Sequence, residues 1–260
     1  MAGFDSELSA RYARQVVFPE LGIEGQRRLL AGRVLVVGVG GLGSWVAEFL
    51  ARAGVGFLRL VDDDRVELVN LHRQALYLES DAEAGAPKAL AAKERLARIN
   101  RQAVVDAVVT RLGPSNMAAL AEGIDLVVDG TDNFATRYAI NDYSIKMGIP
   151  WIFAGVIRAE AQVMTILPGQ SACLRCLLET PPPPCEDPNC RTSGILGPAV
   201  PAIAAIQAIE AIKVLSGGTG QVCPYLLKMD FWANSVQRVA AQARPDCPCC
   251  GLHDYEFLEP

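Results

Sequence analysis

Apolar residues follow two rhythms along this chain. Short unbroken apolar runs alternate with stretches in which apolar positions recur every three or four residues. The first pattern belongs to buried strands and the second to helices with one buried face. Arg33-Val-Leu-Val-Val37 and Phe57-Leu-Arg-Leu-Val61 read as buried strands. Val104 to Val109, Ile124 to Asp129 and Trp151 to Ala154 supply three more. A helix is expected from Ser44 and ends at Gly54, because a glycine after the last turn is a common helix stop. Another spans 87–100, with Leu90, Leu96 and Ile99 on its apolar face and Pro87 in its first turn. A third runs from Asn133 to Met147, and residues 10–30 read as polar helix. Strand–helix alternation of this kind implies a parallel sheet with right-handed crossovers.

The pattern then changes. Ala161 to Leu167 reads as an added strand, antiparallel to its neighbour, and 171–193 reads as loop with four consecutive prolines. Residues 196–215 form an apolar helix, and Tyr225–Asp230 with Ser235–Val239 form a hairpin. The apolar stretch Ile195 to Leu215 contains Gly197, Pro198, Pro201, Gln207, Glu210 and Lys213, so it reads as a buried helix rather than a membrane span. The expected fold class is α/β: a Rossmann-like, mostly parallel sheet with added antiparallel strands, without repeats or linkers.

Composition narrows the chemistry. The chain has 260 residues, 51% of them hydrophobic, enough for a large core. Its net charge of -5 argues against general nucleic-acid or anionic-membrane binding. Met1 to Arg14 is charged and lacks an apolar signal region, so a cytoplasmic address is expected. In that compartment the eight cysteines are expected to be metal-bound or reactive rather than paired.

Gly38, Gly40 and Gly43 form a GxGxxG between a strand and a helix. Such glycines let backbone N–H groups approach phosphate oxygens at a helix N-terminus. Asp62, at the end of the next strand, stands where a carboxylate binds ribose hydroxyls. This much fits NAD or ATP. Arg73, in Asn70-Leu-His-Arg-Gln74, and Lys88 favour ATP, because phosphate charge must be neutralised in the transition state. Asp132 follows the fourth strand, where sheet topology puts ligands, and can hold Mg²⁺ through oxygen.

Two CxxC pairs, Cys173/Cys176 and Cys247/Cys250, suit a closed, structural tetrahedral zinc site. Cys249 competes as a ligand inside the second pair. Cys190 lies in the loop before the apolar helix, with Arg191 beside it to favour the thiolate and Cys185 as a rival. Cys223 reads as a packed small residue.

Together these residues resemble the ThiF/MoeB/HesA family, bacterial relatives of ubiquitin-activating enzymes. The likeness runs nearly end to end: Arg11-Tyr-Ala-Arg-Gln15, Gly38–Gly43, Asp62, Asn70–Gln74, Pro87-Lys88, Thr131-Asp-Asn133, the cysteine pairs and Cys190-Arg-Thr-Ser-Gly194. The context of Cys190 is more like ThiF than MoeB. The resemblance implies one adenylation domain over 1–260, with a crossover loop at about 177–194. It implies that Gly38, Gly40, Gly41 and Gly43 cradle ATP, and that Asp62, with Asp64 close by, takes the ribose. Asn70, Arg73 and Lys88 would hold phosphates, Gln74 would join the nucleotide site, and Asp132, with Asn133 beside it, would hold Mg²⁺. Arg14 would reach into a partner subunit's site, which implies a homodimer, and Cys190 would take part in acyl or sulfur exchange.

The implied reaction is adenylation of the C-terminal glycine of a ubiquitin-like sulfur carrier, ThiS-like and serving thiamine synthesis. A MoaD-like carrier of molybdopterin synthesis is the alternative. An NAD-dependent oxidoreductase and a non-catalytic carrier-binding scaffold are the competing classes. No rhodanese-type segment is visible, so a separate sulfur donor is expected.

Overall fold

The computed structural model describes residues 10–182 and 193–259. Eight strands form one sheet: β1 (Arg33–Val37), β2 (Phe57–Val61), β3 (Val104–Val108), β4 (Leu126–Asp129), β5 (Trp151–Ile157), β6 (Glu160–Ile166), β7 (Tyr225–Asp230) and β8 (Ser235–Ala240). Their order is β3-β2-β1-β4-β5-β6-β7-β8. The five strands from β3 to β5 are parallel, and β6, β7 and β8 join antiparallel. The sheet is thus mixed as well as mostly parallel. Strand order reverses between β1 and β4, and such a switch point opens a ligand crevice at the carboxyl ends of the strands.

Both faces are covered, which is why the parallel strands read as continuous apolar runs. Val34 and Val36 of β1 join a core with helices α1 (Gly22–Ala31), α2 (Gly41–Ala53), α3 (Lys88–Ile99) and α5 (Ala199–Ser216). Leu35 and Val37 point the other way, into a core with α4 (Phe134–Met147) and the cysteine pairs. One strand feeding both cores follows from its two-residue period.

Several elements differ from the sequence reading. The 10–30 helix is two helices, Ala13–Val16 and Gly22–Ala31. Pro19 lies in the break, where it disfavours helix at the residue before it, and Gly22 has φ +62°. Helix α2 begins at Gly41, three residues before Ser44. Leu90 is exposed, and the buried face of α3 is Lys88, Ala89, Ala92 and Leu96. Two alanines let that face pack closely, and Leu90 points away from it. A helix at Pro114–Leu120 and a short one at Leu174–Leu177 had no counterpart in the reading.

Helix α5 packs against α2, α1, β5 and β6. Its interior polar groups Gln207 and Glu210 are tied to neighbouring elements, although Gln207 Oε1 has no partner among the described residues. Gln207 Nε2 donates to the carbonyls of Asp129 and Ile152, at 2.8 and 3.0 Å. Glu210 accepts from Thr165 Oγ1, the Cys223 amide and Lys213 Nζ.

Candidate functional site

The crevice at the switch point is built by close backbone approach. A Cβ on Gly43 would lie 1.8 Å from the Gly38 carbonyl oxygen. One on Gly130 would lie 2.3 Å from the same atom. Only glycine permits these contacts, so the turns after β1 and β4 stack directly on each other. Gly38 also has φ +79°, a left-handed conformation that favours glycine. The amide end of α2 therefore opens into the crevice, where it favours anions.

Residue 39 is held from both sides. Its amide donates to Asp62 Oδ2 at 2.6 Å, and its carbonyl accepts from the Tyr77 hydroxyl at 2.6 Å. Asp62 also accepts from the Asp64 amide at 2.8 Å. Burial pushes the Asp62 carboxyl up from its ordinary value, and the Lys88 charge opposes this. Lys88 is buried along its length, and its Nζ lies 2.7 Å from Asp64 Oδ2. Asp64 is largely exposed, so the ion pair faces the opening.

The first turn of α2 fastens the 70–77 segment to the loop. Ser44 Oγ accepts from the Ala75 amide at 3.1 Å, and Trp45 Nε1 donates to the Arg73 carbonyl at 3.0 Å. The Arg73 side chain consequently lies against Gly41, and Gln74 Nε2 against Gly40, each just under 4 Å from the Cβ that glycine lacks. Arg73 Nη2 donates to Asn70 Oδ1 at 2.8 Å. Gln74 is buried, and its Oε1 has no hydrogen-bond partner. His72 packs through its carbonyl against Gly197.

After β4, Asp129 is wholly buried beside Arg137. Burial raises the Asp129 carboxyl, and the Arg137 guanidinium pulls it back. Asn133 caps α4 by accepting from the Thr136 amide at 2.9 Å. Asp132, between them, is exposed.

Arg14 lies apart from the crevice within this chain. Its neighbours are tied down: Arg11 Nη2 donates to the Ile99 carbonyl, Tyr12 accepts from Asn100 Nδ2, and Gln15 Nε2 donates to Gln26 and Ala53. Arg14 is left exposed, next to exposed Val17 and Phe18. Cys185, Cys190 and Arg191 lie outside the described residues.

The two CxxC pairs meet although Cys176 and Cys250 lie 74 positions apart in the chain. The four sulfurs of Cys173, Cys176, Cys247 and Cys250 all lie within 4.8 Å of one another. Three of the separations are 3.9 Å (Cys173–Cys176), 3.6 Å (Cys173–Cys247) and 3.3 Å (Cys176–Cys250). Zinc bonded to four thiolates at ~2.3 Å sets its sulfurs roughly 3.8 Å apart, so the donor set fits that ion. Cys249 is buried and accepts from Asn141 Nδ2 at 3.3 Å, outside the four. The neighbouring thiols, Cys249 foremost, hold the Cys173 thiol below its ordinary value against the opposing effect of burial.

The supports of this cluster were not foreseen. Asn141 Oδ1 accepts from the Leu174 amide at 2.8 Å and sets the first pair. Arg175, inside that pair and buried, bonds Asp142, the Asp254 carbonyl and Glu256. A charged residue within a CxxC was the available signal, but its partners are remote in sequence. Tyr77 was missed for the same reason; Asp129 and Arg137 lie only eight positions apart, and their burial as a pair gave no local signal.

Known proteins agree with this picture. The ThiF family model matches residues 12–249. The chain is 39% identical over 254 residues to the sulfur carrier protein ThiS adenylyltransferase of Bacillus subtilis, covering 96% of this chain and 74% of that one. It is 40% identical over 258 residues to the sulfur carrier protein adenylyltransferase of Thermus thermophilus, covering 95% and 94%. The E. coli MccB structure with ATP shares the fold at a TM-score of 0.81 and 22% identity, covering 93% of this chain and 74% of that one. The chain belongs to the ThiF family.

Proposed function

We propose that this chain uses MgATP to adenylate the C-terminal glycine of a ubiquitin-like sulfur-carrier protein. One observation carries the reading. The glycine turn, the Asn70–Gln74 segment, the Asp64–Lys88 pair and the Asp132 turn all border one crevice. An NAD site gives Arg73 and Lys88 no work, whereas a triphosphate needs both charges. The names of the two sulfur-carrier adenylyltransferases support the carrier as substrate. The ThiS name favours a ThiS-like partner and thiamine synthesis over a MoaD-like one.

The carrier's carboxylate oxygen attacks the α-phosphorus, a new acyl–phosphate bond forms, and pyrophosphate departs with the broken bond's electrons. A carboxylate is ionised at neutral pH, so no base is needed. The amides of α2 receive phosphate oxygens, Asp62 takes the ribose, and Arg73 and Lys88 offset phosphate charge. Asp132 would hold Mg²⁺, which would supply further charge stabilisation to the phosphates. Catalysis is mainly positioning and charge stabilisation.

Arg14 acts across a homodimer. Support comes from its exposure beside Val17 and Phe18 while its neighbours are anchored. Cys173, Cys176, Cys247 and Cys250 would hold zinc as a structural ion, and Cys190 serves the later sulfur step with a separate donor. A reducing cytoplasm suits that cluster.

ATP–pyrophosphate exchange with ThiS-like and MoaD-like carriers, each beside a tail-truncated control, tests the reading. Exchange that requires one intact tail is expected, with the ThiS-like carrier. Absence of exchange with every carrier, at saturating MgATP and with zinc present, would leave a carrier-binding scaffold.

A further inference from the structure

The turn after β4 contains one unanchored polar side chain among many anchored ones. Thr131 is tied at every polar atom. Its amide and Oγ1 both donate to Asp129 Oδ1, at 2.8 and 2.7 Å. Its carbonyl accepts from Arg137 Nη2 at 2.7 Å. Asn133 is spent on capping α4. The Asp129 carbonyl is held by Gln207 from α5. Arg137 binds Asp129 Oδ2 through Nε at 3.0 Å and also reaches the Ala154 carbonyl of β5 at 3.2 Å. Asp132 alone has an exposed carboxylate, and no hydrogen bond or ion pair engages it among the described residues.

A buried ion pair is an expensive way to join a strand to a helix. Apolar residues of similar volume usually serve stability as well or better. What the pair adds is direction: a planar fork fixes two carbonyls and a carboxylate at set angles. Here the fork joins β4, β5 and the turn between Asp129 and Asn133.

We propose that Arg137, locked by Asp129, is a positioning residue that aims the Asp132 carboxylate at the metal–phosphate site. The inference rests on the adenylation reading for the role of Asp132. Lysine at 137 keeps the charge but loses the fork, and Thr131→Val removes only the hydroxyl bond to Asp129. A misplacement of about 1 Å at a reacting group costs about 10²-fold in rate.

The test is a double-mutant cycle in ATP–pyrophosphate exchange. Arg137→Lys is expected to lower kcat by ~10- to 10²-fold with a much smaller change in KM for ATP, and to shift the Mg²⁺ requirement upward. Thr131→Val gives the same signature more weakly, and serves if the lysine variant does not fold. In an Asp132→Asn background either substitution should add less than ~2-fold. An equal loss in both backgrounds would mean that Arg137 supports the fold rather than Asp132, and would overturn the proposal. Mn²⁺ binding with a non-hydrolysable ATP analogue, read by electron paramagnetic resonance, needs no carrier. It should weaken from wild type to Arg137→Lys, and stay level from Asp132→Asn to the double variant. If wild type exchanges with no carrier, the adenylation reading fails. The Mn²⁺ cycle still decides whether Arg137 acts through Asp132, and a weakening as large in the Asp132→Asn background overturns it.

Discussion

The crevice at the β1/β4 switch point and the cysteine cluster beyond α4 are organised in opposite ways. In the crevice, backbone and supporting side chains are bonded to one another, and the outward groups stay available: the amides of α2, the Asp64–Lys88 pair and Asp132. In the cluster the chemically active atoms face each other. The four sulfurs converge, three of the four cysteines are buried, and Asn141 and Arg175 close the surround. The first arrangement is open and suits substrates that must come and go. The second has no open position and suits an ion that stays. One sheet holds both because its parallel half ends in a crevice, while Met164, Ile166 and Leu226 of its antiparallel strands share a core with the cysteines.

This contrast predicts two different signatures of damage. The largest effect is expected from Cys247→Ala. It removes a sulfur from a donor set that fits zinc, and where such an ion is structural its binding free energy is folding free energy, on the order of 10 kcal/mol in small zinc domains. Zinc content should fall and Tm should drop together, with exchange lost only as the fold is lost. A variant that melts like wild type without zinc would erase the distinction between the two regions. Asp132→Ala is expected to be next, cutting exchange by about 10²–10³-fold, as loss of one preorganised charge contact does. Tm and zinc content should stay at wild-type values, because no hydrogen bond or ion pair engages the Asp132 carboxylate among the described residues. Wild-type turnover would remove Asp132 from the metal site. The smallest effect belongs to Leu90→Ser, on the exposed side of α3, at less than ~0.5 kcal/mol in urea denaturation. A loss of several times that would mean that Leu90 is covered by something outside the described residues.

Much of the crevice was legible in the sequence because its residues lie close to the ends of strands. The run of glycines after β1, Asp62 after β2 and Asp132 after β4 stand where parallel topology converges. The paired cysteines were legible by spacing. Less visible were residues whose work is to hold others. Tyr77 reaches Val39 across 38 positions, and Arg59 reaches Asp106 across 47. Nothing local distinguishes Arg137 from a solvated helix charge, because its partners come from three elements. Leu90 was misplaced for the converse reason: its local period fits a buried face, but the neighbouring helix selects the alanine face.

By itself, the sequence determined the alternation of strand and helix, the glycine turn and the donor types, since these depend on local sterics and side-chain chemistry. Tertiary structure decided which of those donors meet. It brought two CxxC pairs together across the chain, stacked the Gly38 and Gly130 turns, and buried Asp129 with Arg137. It also left Asp132 and Arg14 at the surface. Such outcomes depend on desolvation and packing between distant segments, and neither quantity exists until the chain has folded.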